Sequence, residues 1–207
     1  MFSQLLEFMT IPLLLFAITM CITPGPNNMM LAVSGANFGY RRTLPHILGI
    51  LVGMNMLFVC AASGLAAVLV ALPPVHWILK IGGTAYLLFF SWKIALIRPA
   101  EQTTSDTAQS PRPLSFINAS VFQFMNPKGL VTGVSTVSVF SVPGSSYNTS
   151  VAAIMFTFNI VCVFTTSIWT GVGTIFQQKM KHQRFSRIFN VSVAALTATT
   201  VVLILFT

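Results

Sequence analysis

Acidic residues are nearly missing from this chain. Its 207 residues include three, Glu7, Glu101 and Asp106, against 11 Lys plus Arg. Only 7% of the residues are charged, where soluble domains run near about 25%. Such a shortage excludes a disordered chain and an ordinary soluble enzyme. The net charge of +8 comes from absent acid and not from an excess of base, so it does not mark a nucleic-acid-binding face. Cysteine is also scarce. Cys21, Cys60 and Cys162 all lie in apolar runs without metal-ligand spacing, which excludes a disulfide scaffold and a structural metal site and leaves them as small apolar fillers. A basic leader is lacking too, because the first basic residue is Arg41. The first apolar run therefore reads as a retained span and not as a signal peptide.

What is present is apolar sequence: 55% of the residues are hydrophobic and the mean hydropathy is +0.82. A membrane-spanning helix needs about 20 mostly apolar residues. The chain divides into about six such runs, roughly 11–36, 44–71, 75–97, 114–142, 149–175 and 188–207. Thr10 followed by Pro12 suits a helix start for the first run, and Pro73-Pro74 a loop after the second. The Ser-, Thr-, Pro- and Gln-rich stretch 98–113 is a polar connector between two halves of three runs each. The expected architecture is thus an all-α integral membrane protein, one membrane domain over 1–207, with repeats at 1–97 and 114–207.

Orientation follows from Lys and Arg. Arg41 and Arg42 follow the first run, Lys93, Arg98 and Arg112 flank the connector, and Lys179, Lys181, Arg184 and Arg187 precede the last run. The loops near Pro73 and near Ser145-Ser146 carry no basic residue. This alternation puts loops one, three and five in the cytoplasm and both termini in the periplasm.

Two of the runs cannot be continuous helices. Thr23-Pro24-Gly25-Pro26-Asn27-Asn28 interrupts the first, since proline removes a donor and clashes with the preceding turn. Pro24 lies about 20 Å along the helix from Ile11 at the usual rise per residue, deeper than the centre of a ~30 Å hydrocarbon layer, or near it if the helix is tilted. Gln123-Phe124-Met125-Asn126-Pro127-Lys128-Gly129 interrupts the fourth at a comparable depth. Asn126 and Pro127 fit the N-cap and first position of a restarted half-helix, and Pro26 fits the same first position. Each break falls in the first run of its half, and three spans per half make the second half enter from the opposite side. Two inverted three-helix repeats with broken helices one and four place their half-helix ends at the midplane, where transporters bind substrate. A pair of proline kinks that merely shape the bundle is the alternative.

Lys128 favours the binding-site reading. A cation at membrane depth costs at least about 2.5–3.5 kcal/mol and marks function by default. It also sits at the positive end of a half-helix, and the chain has almost no acid to pair with it. A substrate carboxylate held by Lys128 and the half-helix amides supplies the missing anion. Asn27 and Asn28 either bond that ligand or cap the break. Asn55, Asn118 and Asn159 fit interhelical bonds, and Gly49-xxx-Gly53 and Gly129-xxx-Gly133 fit close helix packing. Tyr86, Phe89, Phe90 and Trp92 read as an interfacial aromatic group, with Lys80 and Lys93 snorkelling. His46 reads as a solvated or capped histidine at the cytoplasmic start of the second span. No intramembrane carboxylate relays protons, so any coupling proton falls to His46, Lys128, water or the substrate.

Thr-Pro-Gly-Pro-Asn (23–27), the glycine-rich second run, Gly-Gly-Thr-Ala-Tyr-Leu-Leu-Phe-Phe-Ser-Trp-Lys (82–93) and Asn-Pro-Lys (126–128) together resemble the lysine-exporter/homoserine–threonine-exporter (LysE/RhtB) family. Met20–Asn28 and the basic pair after it look most like its cysteine/O-acetylserine exporter subgroup. The resemblance implies a bacterial inner-membrane secondary transporter that exports amino acids. It transfers importance to Pro24, Gly25, Pro26, Asn27, Asn126, Pro127 and Lys128; the reading of the break itself adds Asn28. It calls for no cofactor or metal, and for membrane lipid and an amino acid as partners, with homodimers allowed. Independently, the lack of membrane acids argues against a dibasic substrate such as lysine. A neutral one fits better, such as cysteine, O-acetylserine, homoserine or threonine. A membrane-embedded enzyme is a weaker reading, because Ser135 has no histidine at its depth to activate it. A channel would need charged rings, which an oligomer could build from Lys128.

Overall fold

A computed structural model describes residues 2–65, 71–96 and 112–206. The end of the second apolar run (66–70) and most of the connector, with Arg98, Glu101 and Asp106, lie outside the described residues. So do the side chains of Glu7, Thr10, Lys80 and Phe90. Among the described residues the fold is all α-helix with no strand. The helices are α1 (Phe2–Ile22), α2 (Pro26–Phe38), α3 (Tyr40–Ala62), α4 (Pro73–Ala95), α5 (Phe116–Met125), α6 (Pro127–Phe140), α7 (Tyr147–Ile175) and α8 (Gln183–Phe206). Two stretches, α3 and the run Gly144–Ile175, are long and apolar enough to cross a membrane.

Several boundaries differ from the sequence reading. The first helix begins at Phe2, so Thr10 is not its cap and Pro12 lies inside it. Pro73 and Pro74 do not form a loop; they open α4, where a missing N–H costs nothing. A single residue, Gly39, joins α2 to α3 with φ 82, a left-handed conformation that favours glycine. Arg41 and Arg42 consequently sit in the first turn of α3 and not in a loop.

On either side of 98–113 the described residues form a helix, a break, a second helix and then two long helices. Across the halves, α2 packs on α7, α5 on α3, α3 on α7 and α4 on α8. Each broken helix therefore rests on the other half's first long helix. Glycines permit the close approaches. A Cβ on Gly53 would stand 2.5 Å from the Ser120 carbonyl oxygen, one on Gly35 2.2 Å from that of Thr170, and one on Gly83 2.1 Å from that of Met125. Gly49 meets α5 in the same way, and Gly129 and Gly133 lie against the Gln123 carbonyl and Leu57. At the centre, Asn55 of α3 and Asn159 of α7 form a reciprocal amide pair, with the two Nδ2 groups donating at 2.7 and 3.0 Å. The expected Asn118 link does not form: Asn118 is exposed, and its backbone N–H takes the Ser115 Oγ that caps α5.

Candidate functional site

Both breaks fall where proline dictates. At the first, helix stops at Ile22 and restarts at Pro26 with Gly25 as N-cap; at the second, it stops at Met125 and restarts at Pro127 with Asn126 as N-cap. Intrahelical bonding resumes with Met29 N–H to the Gly25 carbonyl at 2.9 Å and Leu130 N–H to the Asn126 carbonyl at 3.0 Å. A helix leaves its first amides without intrahelical acceptors, so the N–H groups of Asn27, Asn28, Lys128 and Gly129 lie at the two restarts.

The last carbonyls of α1 are taken by side chains from elsewhere. Asn28 Nδ2 donates to the Cys21 carbonyl at 2.7 Å and the Thr23 carbonyl at 2.9 Å. Trp169 Nε1 of α7 donates to the Ile22 carbonyl at 3.1 Å. Lys128 Nζ reaches from the second break to the Thr23 carbonyl at 2.7 Å, so the cation meets the negative end of a helix. Its tail passes over Gly25, where a Cβ would stand 3.1 Å from Lys128 Cδ. Asn27 is paired as well: its Nδ2 donates to Gln123 Oε1 at 2.8 Å, and Gln123 Nε2 returns a bond to Asn27 Oδ1 at 3.3 Å. Gln123 is fully buried and also donates to the Ala119 carbonyl at 2.8 Å.

A cavity of about 40 Å³ lies between the breaks, room for a few waters. Gly25, Pro26, Asn27, Asn28, Asn126, Lys128 and Gly129 line it from the two restarts, with Thr132 from α6, Ile50 and Met54 from α3, and Thr165 and Thr166 from α7. Of the eight expected site residues, six line this space. Pro24 is exposed and Pro127 half-buried, and neither lines the cavity. Asn126 holds the N-cap position, but its side chain makes no cap bond, and its buried Oδ1 has no hydrogen-bond partner.

Comparison with known proteins agrees with this geometry. The LysE type translocator family matches residues 18–206, a span that contains both breaks and the cavity. The chain belongs to the LysE family. It is 25% identical over 181 residues to a cysteine/O-acetylserine efflux protein of Salmonella typhimurium (strain LT2), covering 87% of this chain and 89% of that one. It is 26% identical over 182 residues to the protein of the same description from Escherichia coli (strain K12), again covering 87% and 89%. No solved structure matches. LysE membership and the efflux names of the relatives point to a membrane transporter and away from an enzyme.

In this LysE-family chain one residue, His46, departs from its expected role. Cys21 and Cys162 pack in an apolar cluster with Leu31, Ile47 and Ile50, as small fillers do, and also line the cavity, while Cys60 is exposed. His46 is neither solvated nor capped. It is 1% exposed, and both ring nitrogens are buried without a partner. Lys93 lies over the Phe89 ring, 4.8 Å from its centroid. Gln123 and Trp169 were missed as site residues. Gln123 was readable as a polar residue just before the second break; nothing in the local sequence marks Trp169.

Proposed function

We propose that this protein is a secondary transporter that exports a small neutral amino acid or derivative, of the size of cysteine or O-acetylserine, across the bacterial inner membrane. The observation that carries this reading is the meeting of the two breaks at one cavity, with Lys128 Nζ spanning from the second to the Thr23 carbonyl of the first. A cation held by a neutral carbonyl prefers a carboxylate, so a substrate's carboxylate displaces that bond and takes Lys128 together with the Lys128 and Gly129 amides. Asn126 Oδ1, unpartnered and beside the same space, accepts from the substrate's ammonium. The cavity has room for a few waters and not for an amino acid, so admitting one parts the half-helix ends, which is the movement that alternating access requires.

The reading places six spans in two inverted repeats, 1–97 and 114–207, joined by 98–113. The exchange of broken helices between halves and the contacts of α3 with α7 and α4 with α8 support a pseudo-two-fold relation. The basic residues then put both termini in the periplasm. A neutral substrate is favoured because, among the described residues, no acid lines the cavity to meet a second ammonium; the relatives' names agree.

The test is an export assay in cells expressing wild type or Lys128→Ala, following O-acetylserine, cysteine, threonine, homoserine and lysine in the medium. Wild type raises extracellular O-acetylserine or cysteine and the variant does not. Export of lysine alone overturns the neutral-substrate reading, and unchanged affinity in Lys128→Ala overturns the site.

A further inference from the structure

We infer that His46 is the proton-binding residue that couples substrate movement to a proton gradient. This rests on the transport reading above and adds the ion to it. A buried polar group without a hydrogen bond is costly, and native structures rarely keep one without a use. His46 has two such atoms, Nδ1 and Nε2, in a side chain that is 1% exposed. It lies on α3 one turn before Ile50 and two before Met54, both of which line the cavity. One turn further from the cavity the same face carries Thr43, fully buried, whose Oγ1 is 2.8 Å from Ser34 Oγ of α2. Polar groups thus continue from the cavity along the seam between α2 and α3 toward the Arg41-Arg42 end of α3.

The surroundings leave few rivals for the role. Helices α2 and α5, packed on α3, carry no titratable residue. Helix α6 carries Lys128, and α7 carries Cys162 and Tyr147. Lys128 and Cys162 line the cavity, from which His46 is set back by the turn that carries Ile50, while the Tyr147 hydroxyl is bound to the Ala62 carbonyl at the far end of α3. On α3 itself Arg41 and Arg42 are exposed, as is Arg112 before α5. No carboxylate among the described residues lies in this region. Imidazole is also the side chain whose ordinary charge change falls near neutral pH, and an ionisable group buried inside a membrane-spanning helix is a functional-site candidate by default.

The coupling follows from charge. A zwitterion anchored by its carboxylate at Lys128 brings an ammonium into the rest of the cavity. A proton on His46 puts a second positive charge beside the same small, poorly screened space, so the two ligands exclude each other. Facing outside, the cavity releases the amino acid, and a proton from water bonds to an imidazole nitrogen. Facing inside, that N–H breaks, the proton returns to water and the next amino acid binds. One proton enters for each amino acid exported.

The experiment uses the full chain in liposomes with O-acetylserine as the probe. Two readouts separate coupling from binding: exchange of labelled for unlabelled O-acetylserine without a gradient, and accumulation driven by a pH difference, where one-for-one coupling supports at most about tenfold accumulation per pH unit. Wild type shows both, together with substrate-dependent proton flux. His46→Gln keeps exchange within about threefold, a difference well under 1.4 kcal/mol, and loses accumulation and proton flux. Gradient-driven accumulation by His46→Gln equal to wild type overturns the inference. So does wild-type exchange without proton flux, which leaves the transport reading intact. Wild type that exchanges no amino acid overturns the transport reading itself. If His46→Gln does not fold, His76→Gln/His182→Gln leaves His46 as the single histidine, and its imidazole nitrogens are followed by NMR. A change between charged and neutral forms on adding O-acetylserine supports the inference; an invariant signal overturns it.

Discussion

At the first break Gly25, Pro26, Asn27 and Asn28 occupy the N-cap and first three positions of α2. At the second, Asn126, Pro127, Lys128 and Gly129 occupy the same positions of α6. Proline stands at the same place in both, for the same reason: it stops one half-helix and preorganises the next. The second helical position differs most, the amide of Asn27 in one half and the cation of Lys128 in the other. The first break is closed within the protein, since the carbonyls of Cys21, Ile22 and Thr23 all have donors. The second keeps a buried Oδ1 without a partner and sends its charge across to the first. One half supplies a finished frame and the other supplies the groups still able to bond a ligand.

The largest effect expected from this difference lies at the second helical position. Lys128→Ala removes a charge-assisted bond worth about 1.5–3 kcal/mol and should weaken O-acetylserine binding by roughly ten- to a hundredfold. Asn27→Ala removes a neutral amide contact, for which interhelical bonds in membranes average about 0.6 kcal/mol, so a change of about threefold is expected. Exchange rates against substrate concentration in liposomes measure both. Equal losses would make the two breaks functionally alike and sink the division of roles.

Stability should separate the breaks in the opposite order. Asn28→Ala removes two bonds at the end of α1, leaving the Cys21 carbonyl without its side-chain donor and the Thr23 carbonyl to Lys128 alone, and should destabilise by about 1–2 kcal/mol, seen as a lower melting temperature in detergent. Asn126→Ala breaks no side-chain bond present in this conformation and should stay within about 0.5 kcal/mol of wild type while weakening exchange. A melting loss from Asn126→Ala as large as that from Asn28→Ala would mean that the second break is as closed as the first.

The proline-containing breaks, the glycine seams and the Asn55–Asn159 pair were legible because each depends on residues whose chemistry overrides context. Proline has no N–H, glycine has no Cβ, and an amide in an apolar helix needs a partner. Which face of a helix turns inward was not legible. Inward and outward faces are both apolar in a membrane protein, so periodicity carries little information. That is why His46 looked solvated from its place beside Arg41 and Arg42, and why Asn118 looked like an interhelical residue. Gln123 and Trp169 act through partners 96 and 147 residues away, and no local spacing reports such contacts. Thr10 and Pro12 mimicked a helix start, yet α1 runs through both.

The smallest effect probes the contact that ties the breaks together. Gly25 has φ −170, extended backbone open to any residue, so Gly25→Ala introduces no backbone strain. The added methyl meets only the lysine tail, 3.1 Å from Lys128 Cδ and 3.3 Å from Nζ. A flexible tail yields by a few tenths of an ångström, so the fold and melting temperature should be unchanged. Nζ is then displaced from the Thr23 carbonyl and from the position that meets a carboxylate. Because the charge itself remains, the loss in O-acetylserine affinity should be about threefold, under 1 kcal/mol, well below that of Lys128→Ala. The double variant Gly25→Ala/Lys128→Ala should bind no worse than Lys128→Ala alone, since the methyl has then nothing to displace. Additive losses in that cycle would show that Gly25 acts on the substrate directly, and that the lysine crossing is not what joins the two breaks.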